Sequence, residues 1–539
     1  MERKTFELLA ECLAAHRVEH LFGLVGDANL YMVDAWVRAG HGRYTALTHE
    51  ANAVLAALGY AQVAGRVGVA TITHGPALTN VVTALAEGAK GGIPAVVMAG
   101  DTAPGDLEHL QKIDQREIVK ASGAGFVELR APDTAAEDLA RAFRRAALER
   151  RPIVFNMRAD LMWQPTAAAP VAWPVPQVRA AVPEGEAFDE AAGMIASARR
   201  PLILAGRGAV QARAALERLA ARLQAPVSTT LKASGLFQGH PHDLGVFGGL
   251  SGPVTVEAIL QSDCIIAFGA SLSRQTTEAG SYLRGRRVVQ VLADPMENDR
   301  RTEPTVLLIG DIAATAARLA KIMDEAEIPP SGAADAALAA RLAGLRAAPP
   351  APFAATAPGT IDAGPALQRL DAALTPDRVL VGDLGRFTVT AWGVLSVRAP
   401  GAFVYSCNFG AIGCGMGEAI GAARAAPGRR TVLLAGDGGF LLGGLAELST
   451  AVREGLDLVV LLHNDGAYGA EHIQFTAKGM DPGLSLIHPP DFVALARAMG
   501  ARALRIAAPG DIGPAIAALA DRRGPLLIDL ALDPHAMRM

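Results

Sequence analysis

Short apolar runs recur along the whole chain, each followed by a polar or glycine-containing turn and then by a stretch of helical spacing. His20–Val25, Tyr44–Thr48, Val67–Thr73 and Ala95–Ala99 read as strands in the first part of the chain. Pro201–Ala205, Pro226–Thr230, Cys264–Phe268, Val288–Ala293 and Val306–Ile309 do so in the middle. Val379–Val381, Val432–Ala435, Leu456–Leu462 and Pro525–Leu530 complete the set. Runs that are apolar throughout, alternating with helices, predict parallel sheets covered on both faces. The expected fold class is α/β, with three sequential doubly wound parallel-sheet domains over 1–165, 185–325 and 361–539. A Pro/Ala-rich linker, Gln164 to about Pro183, separates the first two. An Ala/Pro-rich connector, Glu325–Thr360, partly helical, reads as a tether to the third.

One stretch organises the rest. Thr431 to Glu471 reads as a βαβ unit whose two strands end in Gly436-Asp437-Gly438 and in His463-Asn464-Asp465-Gly466. Ligands of open α/β sheets bind at such strand ends. Gly436 and Gly438 let the backbone approach a ligand. Asp437 and Asp465 offer hard oxygen donors suited to Mg²⁺ held together with a phosphate. In isolation Gly-Asp-Gly is simply a turn; its flanking strand, helix and second polar terminus are what change that reading.

The pattern resembles the diphosphate-binding motif of thiamine-diphosphate (ThDP) enzymes, and the order of three similar α/β domains is similar to the pyrimidine-binding, central and diphosphate-binding domains of the 2-oxo acid decarboxylase and acetolactate synthase superfamily. The resemblance implies that Asp437, the second residue of an Asn-Asn pair and a carbonyl two residues later hold Mg²⁺. Here the pair is Asn464-Asp465, which makes Asp465 and the Ala467 carbonyl the other ligands. A second register would use Asn464 and the Gly466 carbonyl. Gly443-Gly444-Leu445 is one residue longer than usual, and Gly-Ala-Tyr-Gly-Ala follows as in the family, which favours Asp465.

Further residues extend the resemblance. Glu50, in Thr48-His49-Glu50-Ala51, stands where the family has the glutamate that hydrogen-bonds the aminopyrimidine and promotes loss of the reactive-carbon proton. Taken alone it is a helix-start glutamate favoured by the macrodipole. Thr73-His74-Gly75-Pro76 is similar to a cofactor-facing turn of acetolactate synthases, which makes His74 a candidate for the cofactor site. In Asn408 to Gly417, Ile412 takes the place of the residue that wedges the coenzyme into a V shape, with Gly410 beside it. Gly382-Asp383-Leu384-Gly385 resembles another diphosphate-side stretch, adding Gly385.

Three residues bear on the branch. Asp27, within Phe22 to Leu30, matches the catalytic aspartate of pyruvate and indolepyruvate decarboxylases, and Glu471 stands where they carry a catalytic glutamate. Two such carboxyls suit proton relay. Those enzymes have a His-His pair in the following loop; this chain has Asp106-Leu107-Glu108-His109-Leu110-Gln111, so His109 replaces one histidine while Gln111 resembles the synthases. The expectation is ThDP- and Mg²⁺-dependent decarboxylation of a 2-oxo acid with acyloin-forming capacity. The alternatives are an acetolactate-synthase-like carboligase, acting with an aldehyde or ketone acceptor, and a non-catalytic ThDP-fold protein. The central segment is similar in outline to flavin-binding relatives, with Arg274 and Asp294 in suitable places, which leaves FAD open. Gly206-Arg207-Gly208 alone is a weak dinucleotide signal. A homodimer or homotetramer is implied, because in the family one subunit's pyrimidine domain faces another's diphosphate domain.

Composition narrows this little further. The 539 residues are 51% hydrophobic and 19% charged, with net charge −4, which gives no basis for a nucleic-acid or membrane partner. The four cysteines form neither a disulfide framework nor a zinc pattern, and a cytoplasmic setting is expected. The N-terminus lacks the apolar core of a signal peptide.

Overall fold

The computed structural model describes residues 3–176, 181–298 and 303–536. Three six-stranded sheets follow one another along the chain. The first contains β1 (His20–Gly23), β2 (Arg43–Ala46), β3 (Gly68–Ile72), β4 (Ala95–Asp101), β5 (Gly125–Glu128) and β6 (Pro152–Arg158), in the order β2-β1-β3-β4-β6-β5. The second contains β7 (Pro201–Ala205), β8 (Val227–Thr229), β9 (Asp243–Val246), β10 (Cys264–Phe268), β11 (Arg287–Leu292) and β12 (Val306–Ile309), in the order β12-β11-β10-β7-β8-β9. The third contains β13 (Arg378–Gly382), β14 (Phe403–Tyr405), β15 (Arg430–Gly436), β16 (Leu458–Asn464), β17 (Arg502–Ile506) and β18 (Leu526–Ala531), in the order β14-β13-β15-β16-β18-β17. The first and third sheets thus share one topology. The second has the strand order of dinucleotide-binding sheets.

The first and third sheets belong to one compact unit, residues 1–176, 352–391 and 404–539. The second sheet belongs to another, residues 177–351 and 392–403. Within the first unit, the helix Glu50–Ala64 packs on the helix Gly415–Ala425, and residues of both lie in one apolar core. Glycines permit that crossing. A Cβ on Gly59 would stand 2.1 Å from the Glu418 carbonyl oxygen, and one on Gly421 would stand 1.8 Å from that of Ala56.

The strands expected from the apolar runs are present, with small shifts at their ends. Those the pattern missed are four sheet edges, β5, β9, β14 and β17, and the interior strand β6. An edge strand has one neighbour, and β5 and β17 alternate in burial instead of running apolar throughout. The connector is not a tether along its length. Its helix Ala336–Ala347 is capped by Asp335 and buries Leu342 in a core with Leu202, Ile259 and Ile265. Of the first linker, residues 177–180 lie outside the described residues. Among the described residues no helix is long and apolar enough to cross a membrane.

Candidate functional site

Two parallel neighbours, β15 and β16, pair Gly436 with His463, so that Asp437 and Asp465 emerge at adjacent strand ends. The Asp437 carboxylate is buried and accepts from the amides of Gly438 (2.8 Å) and Gly466 (2.7 Å). Burial first, and then the neighbouring Asp465 charge, push its pKa up to about 7. Asp465 is also pushed up by burial, against the pull of Arg386, whose guanidinium lies 2.6 Å away. Ala467 is buried and bridges to Leu486. The Gly466 carbonyl accepts from the Ile487 amide at 2.9 Å. After the turn Asp437–Gly439, residues Phe440–Gly444 form a π-helical turn that leads into the helix Glu447–Arg453. A π-turn absorbs one extra residue without breaking the helix. Gly443 and Gly444 close this turn.

Ile412 is half-buried, and its Cβ lies 3.5 Å from where a Gly439 Cβ would be. Gly410, with φ +83°, opens onto free space. Asp383 anchors this loop: its buried carboxylate accepts from Leu384 (2.8 Å) and from Gly413 (3.1 Å). Burial outweighs those amides and pushes its pKa up to about 7. Gly385 packs under the Phe387 ring. Gly436 faces the same ring more loosely, and Gly438 abuts Tyr468.

The first sheet carries a second constellation. Asp27 accepts from the Thr73 hydroxyl at 3.0 Å and lies 3.8 Å from Nδ1 of His74. The His74 ring is buried and stands 5.1 Å, centre to centre, from that of His109. Asp27, by contrast, leaves 71% of its side chain exposed. His74, read from the sequence as a cofactor-site candidate, is therefore packed with the two residues read as proton-handling. Six residues along the same turn, Asn80 donates to the Glu50 carboxylate at 3.0 Å. Glu50 opens its helix behind His49, whose Nδ1 accepts from the Ala51 amide at 3.1 Å. Glu471 is exposed in the first turn of the helix Gly469–Ala477. Among the described residues no hydrogen bond or ion pair joins it to Asp27, His74 or His109.

In the second sheet, Gly206 and Gly208 pack against the Gly269 backbone, so close packing already explains both glycines. Asp294 accepts from the Met296 amide, and Arg274 is exposed.

Several residues escaped the sequence reading. Gln115, not Gln111, is the buried glutamine here: it accepts from the Gly75 amide (2.9 Å) and donates to the Gly100 carbonyl (2.8 Å) and to Asn156 (2.7 Å). Arg386 faces Asp465, and the buried Glu87 and Glu447 reach loops of the opposite sheet. A signal for the glutamates existed: each is a lone acid inside an otherwise apolar helical stretch, Ala84-Leu85-Ala86-Glu87 and Leu445-Ala446-Glu447-Leu448. Burial of such an acid demands partners.

Comparison with known proteins gives matches along most of the chain. Residues 3–118 match the model of the N-terminal TPP binding domain of thiamine pyrophosphate enzymes, residues 188–319 that of the central domain, and residues 383–530 that of the C-terminal TPP binding domain. A probable 2-ketoarginine decarboxylase, AruI, of Pseudomonas aeruginosa is 31% identical over 512 residues, covering 92% of this chain and 88% of that protein. An acetolactate synthase of Mycobacterium bovis is 30% identical over 542 residues, covering 96% and 86%. A sulfoacetaldehyde acetyltransferase of Castellaniella defragrans is 28% identical over 549 residues, covering 95% and 89%.

Proposed function

The chain belongs to the thiamine pyrophosphate enzymes, and within that family we propose that it decarboxylates a 2-oxo acid, with capacity to join the resulting fragment to an aldehyde or ketone acceptor. The observation that carries this reading is the Asp27–His74–His109 group beside the turn that holds Glu50. Decarboxylation ending in an aldehyde needs a proton delivered to carbon, and a carboxylate 3.8 Å from one imidazole, whose ring stands 5.1 Å from a second, is suited to supply it. A relative named as a decarboxylase, matched over most of both chains, supports the same branch.

Bound ThDP supplies the nucleophilic carbon and the electron sink. Glu50, steadied by Asn80, would accept a hydrogen bond from the aminopyrimidine of that coenzyme. Ile412 and Gly410, which opens onto free space, would hold the coenzyme's rings, and Gly385, packed under Phe387, would border its diphosphate side. Asp437, Asp465 and the Ala467 carbonyl would hold Mg²⁺, which would supply positive charge to the diphosphate. The alternative register has less support, because the Gly466 carbonyl is engaged by Ile487. Asp27, His74 and His109 move protons on one side of the reacting centre, and Glu471 does so from the third sheet. Glu50 and the Asp437 loop complete one site when two chains associate, so the working form is at least a homodimer. The proposed decarboxylation requires no flavin.

Incubation with ThDP, Mg²⁺ and a panel of 2-oxo acids, with and without aldehyde acceptors, tests the reading, with products identified by mass. An aldehyde one carbon shorter than its substrate is expected. Acetolactate or acetoin as the sole product from pyruvate would favour the carboligase instead. ThDP binding without turnover of any 2-oxo acid would favour a non-catalytic protein.

A further inference from the structure

Two buried glutamates reach across the compact unit in opposite directions. Glu447 belongs to the third sheet's helix Glu447–Arg453, immediately after the π-turn of the Asp437 motif. Its side chain is fully buried. One carboxylate oxygen accepts from the Thr48 amide (2.9 Å), the Thr48 hydroxyl (2.7 Å) and the His49 amide (3.1 Å). The other accepts from the Thr450 hydroxyl at 2.7 Å. Thr48 and His49 are the two residues that precede Glu50. The same seam is held by Asn52, which donates to the Gly443 carbonyl at 3.0 Å, and by Arg453, which donates to the Ala46 carbonyl.

Glu87 makes the reverse connection. It lies in the first sheet's helix Val82–Gly91 and is also fully buried. One oxygen accepts from the Asn408 amide (2.8 Å) and the Asn408 side-chain amide (2.6 Å). The other accepts from the Phe409 amide at 2.6 Å. Gly410 and Ile412 follow directly. Charge-assisted bonds to backbone amides are short and directional, so each carboxylate fixes the path of the main chain it holds. Without it, two backbone amides held in part-buried hydrogen bonds would lose their partners.

We propose that Glu447 and Glu87 are reciprocal positioning residues: each sheet of the unit supplies one buried carboxylate that sets the cofactor-facing loop of the other, Glu447 aiming Glu50 and Glu87 aiming Ile412. The catalytic part of this inference rests on the function proposed above; the clamp itself does not. The two clamps differ in what an amide would do. In Glu447→Gln the carbonyl oxygen still receives Thr48 and His49, while the new NH₂ faces a hydroxyl able to accept. In Glu87→Gln both original oxygens faced N–H donors, so the NH₂ must oppose one of them. A residue that merely filled space would tolerate both changes equally, since volume is preserved.

Hydrogen exchange followed by mass spectrometry on the full chain, without added ThDP, reads the clamp directly. Glu447→Ala is expected to speed exchange of the Thr48 and His49 amides at least tenfold, while Glu447→Gln stays within about threefold of the parent. Glu87→Gln is expected to speed exchange at Asn408 and Phe409 at least tenfold. Turnover then reads the consequence: kcat falls at least tenfold in Glu447→Ala and Glu87→Gln with KM little changed, and Glu447→Gln recovers most of it. Equal exchange at these amides in parent and variants overturns the clamp. If Glu447→Ala does not fold, the two glutamine variants decide alone, and identical behaviour of that pair overturns the proposal. A parent enzyme that turns over no 2-oxo acid defeats the functional reading while leaving the exchange result to judge the clamp.

Discussion

The guanidinium of Arg386 lies 2.6 Å from the carboxylate of Asp465, with 2% and 10% of the two side chains exposed. Arg386 also donates to the Pro534 carbonyl at 3.0 Å, so it ties the end of the chain to the Asp465 loop. In the proposed site, Asp465 would add a negative charge beside the coenzyme's diphosphate. Here a buried cation balances that charge within the same chain.

Removing one partner of a buried pair leaves an uncompensated charge. Arg386→Met should therefore lower stability by about 3–5 kcal/mol. Adding Asp465→Asn should restore most of it, as a thermal-melt double-mutant cycle would register. Asp465→Asn alone should leave Mg²⁺ dependence intact, because an asparagine carbonyl still donates an oxygen. Loss of cofactor binding in that single variant would count against the expectation that asparagine can replace Asp465.

Glu50→Gln should slow exchange of the coenzyme's C2 proton by roughly 10²- to 10⁴-fold, the usual weight of a positioned acid–base group. Acid-quench NMR of the bound coenzyme measures it. Asn80→Ala should produce a smaller loss in the same assay, since Asn80 acts only through its 3.0 Å bond to Glu50.

His74→Phe and His109→Phe should each slow aldehyde release by on the order of 10²-fold. With an aldehyde acceptor present, both should raise the ratio of acyloin to simple aldehyde, because proton delivery is impaired and attack on a carbonyl is not. Unchanged product ratios would detach these rings from proton transfer.

Gly421→Ala should cost about 1–3 kcal/mol by overpacking, because its Cβ would meet the Ala56 carbonyl at 1.8 Å where two helices cross. Gly193→Ala, in the helix Glu186–Ala196, opens onto free space and should instead stabilise by about 0.4–1 kcal/mol. Denaturant melts of the two variants make the comparison.

His16 stacks on Phe143 with ring centres 4.0 Å apart, and burial holds its pKa down to about 4 against an ordinary 6.5. Between those values the unfolded chain binds the proton that the folded chain refuses. Stability is therefore lost as pH falls from 6.5 towards 4 and is unaffected by this group above 6.5. His16→Gln should flatten that part of the melting-temperature profile.

How much of this was legible beforehand differs by element. β7 and β10 stand where the apolar runs placed them, because a strand buried on both faces writes its burial into consecutive residues. β5 and β17 were not legible, since alternating exposure at an edge resembles a loop. Asp437 was legible from its glycine turn and following helix. Arg386 was not: nothing near residue 386 refers to residue 465.

By itself the sequence determined the three-sheet α/β architecture, which depends on local periodicity, and it carried short motifs around Glu50, Ile412 and Asp437 that resemble one family. Only the tertiary structure decided which partner each charge finds: Arg386 for Asp465, Thr48 and His49 for Glu447, Asn408 and Phe409 for Glu87, and His109 beside His74. Those pairings join residues far apart in the chain. They are set by how helices cross and sheets pack, and local hydrophobic pattern records that a side chain is buried without recording what lies against it.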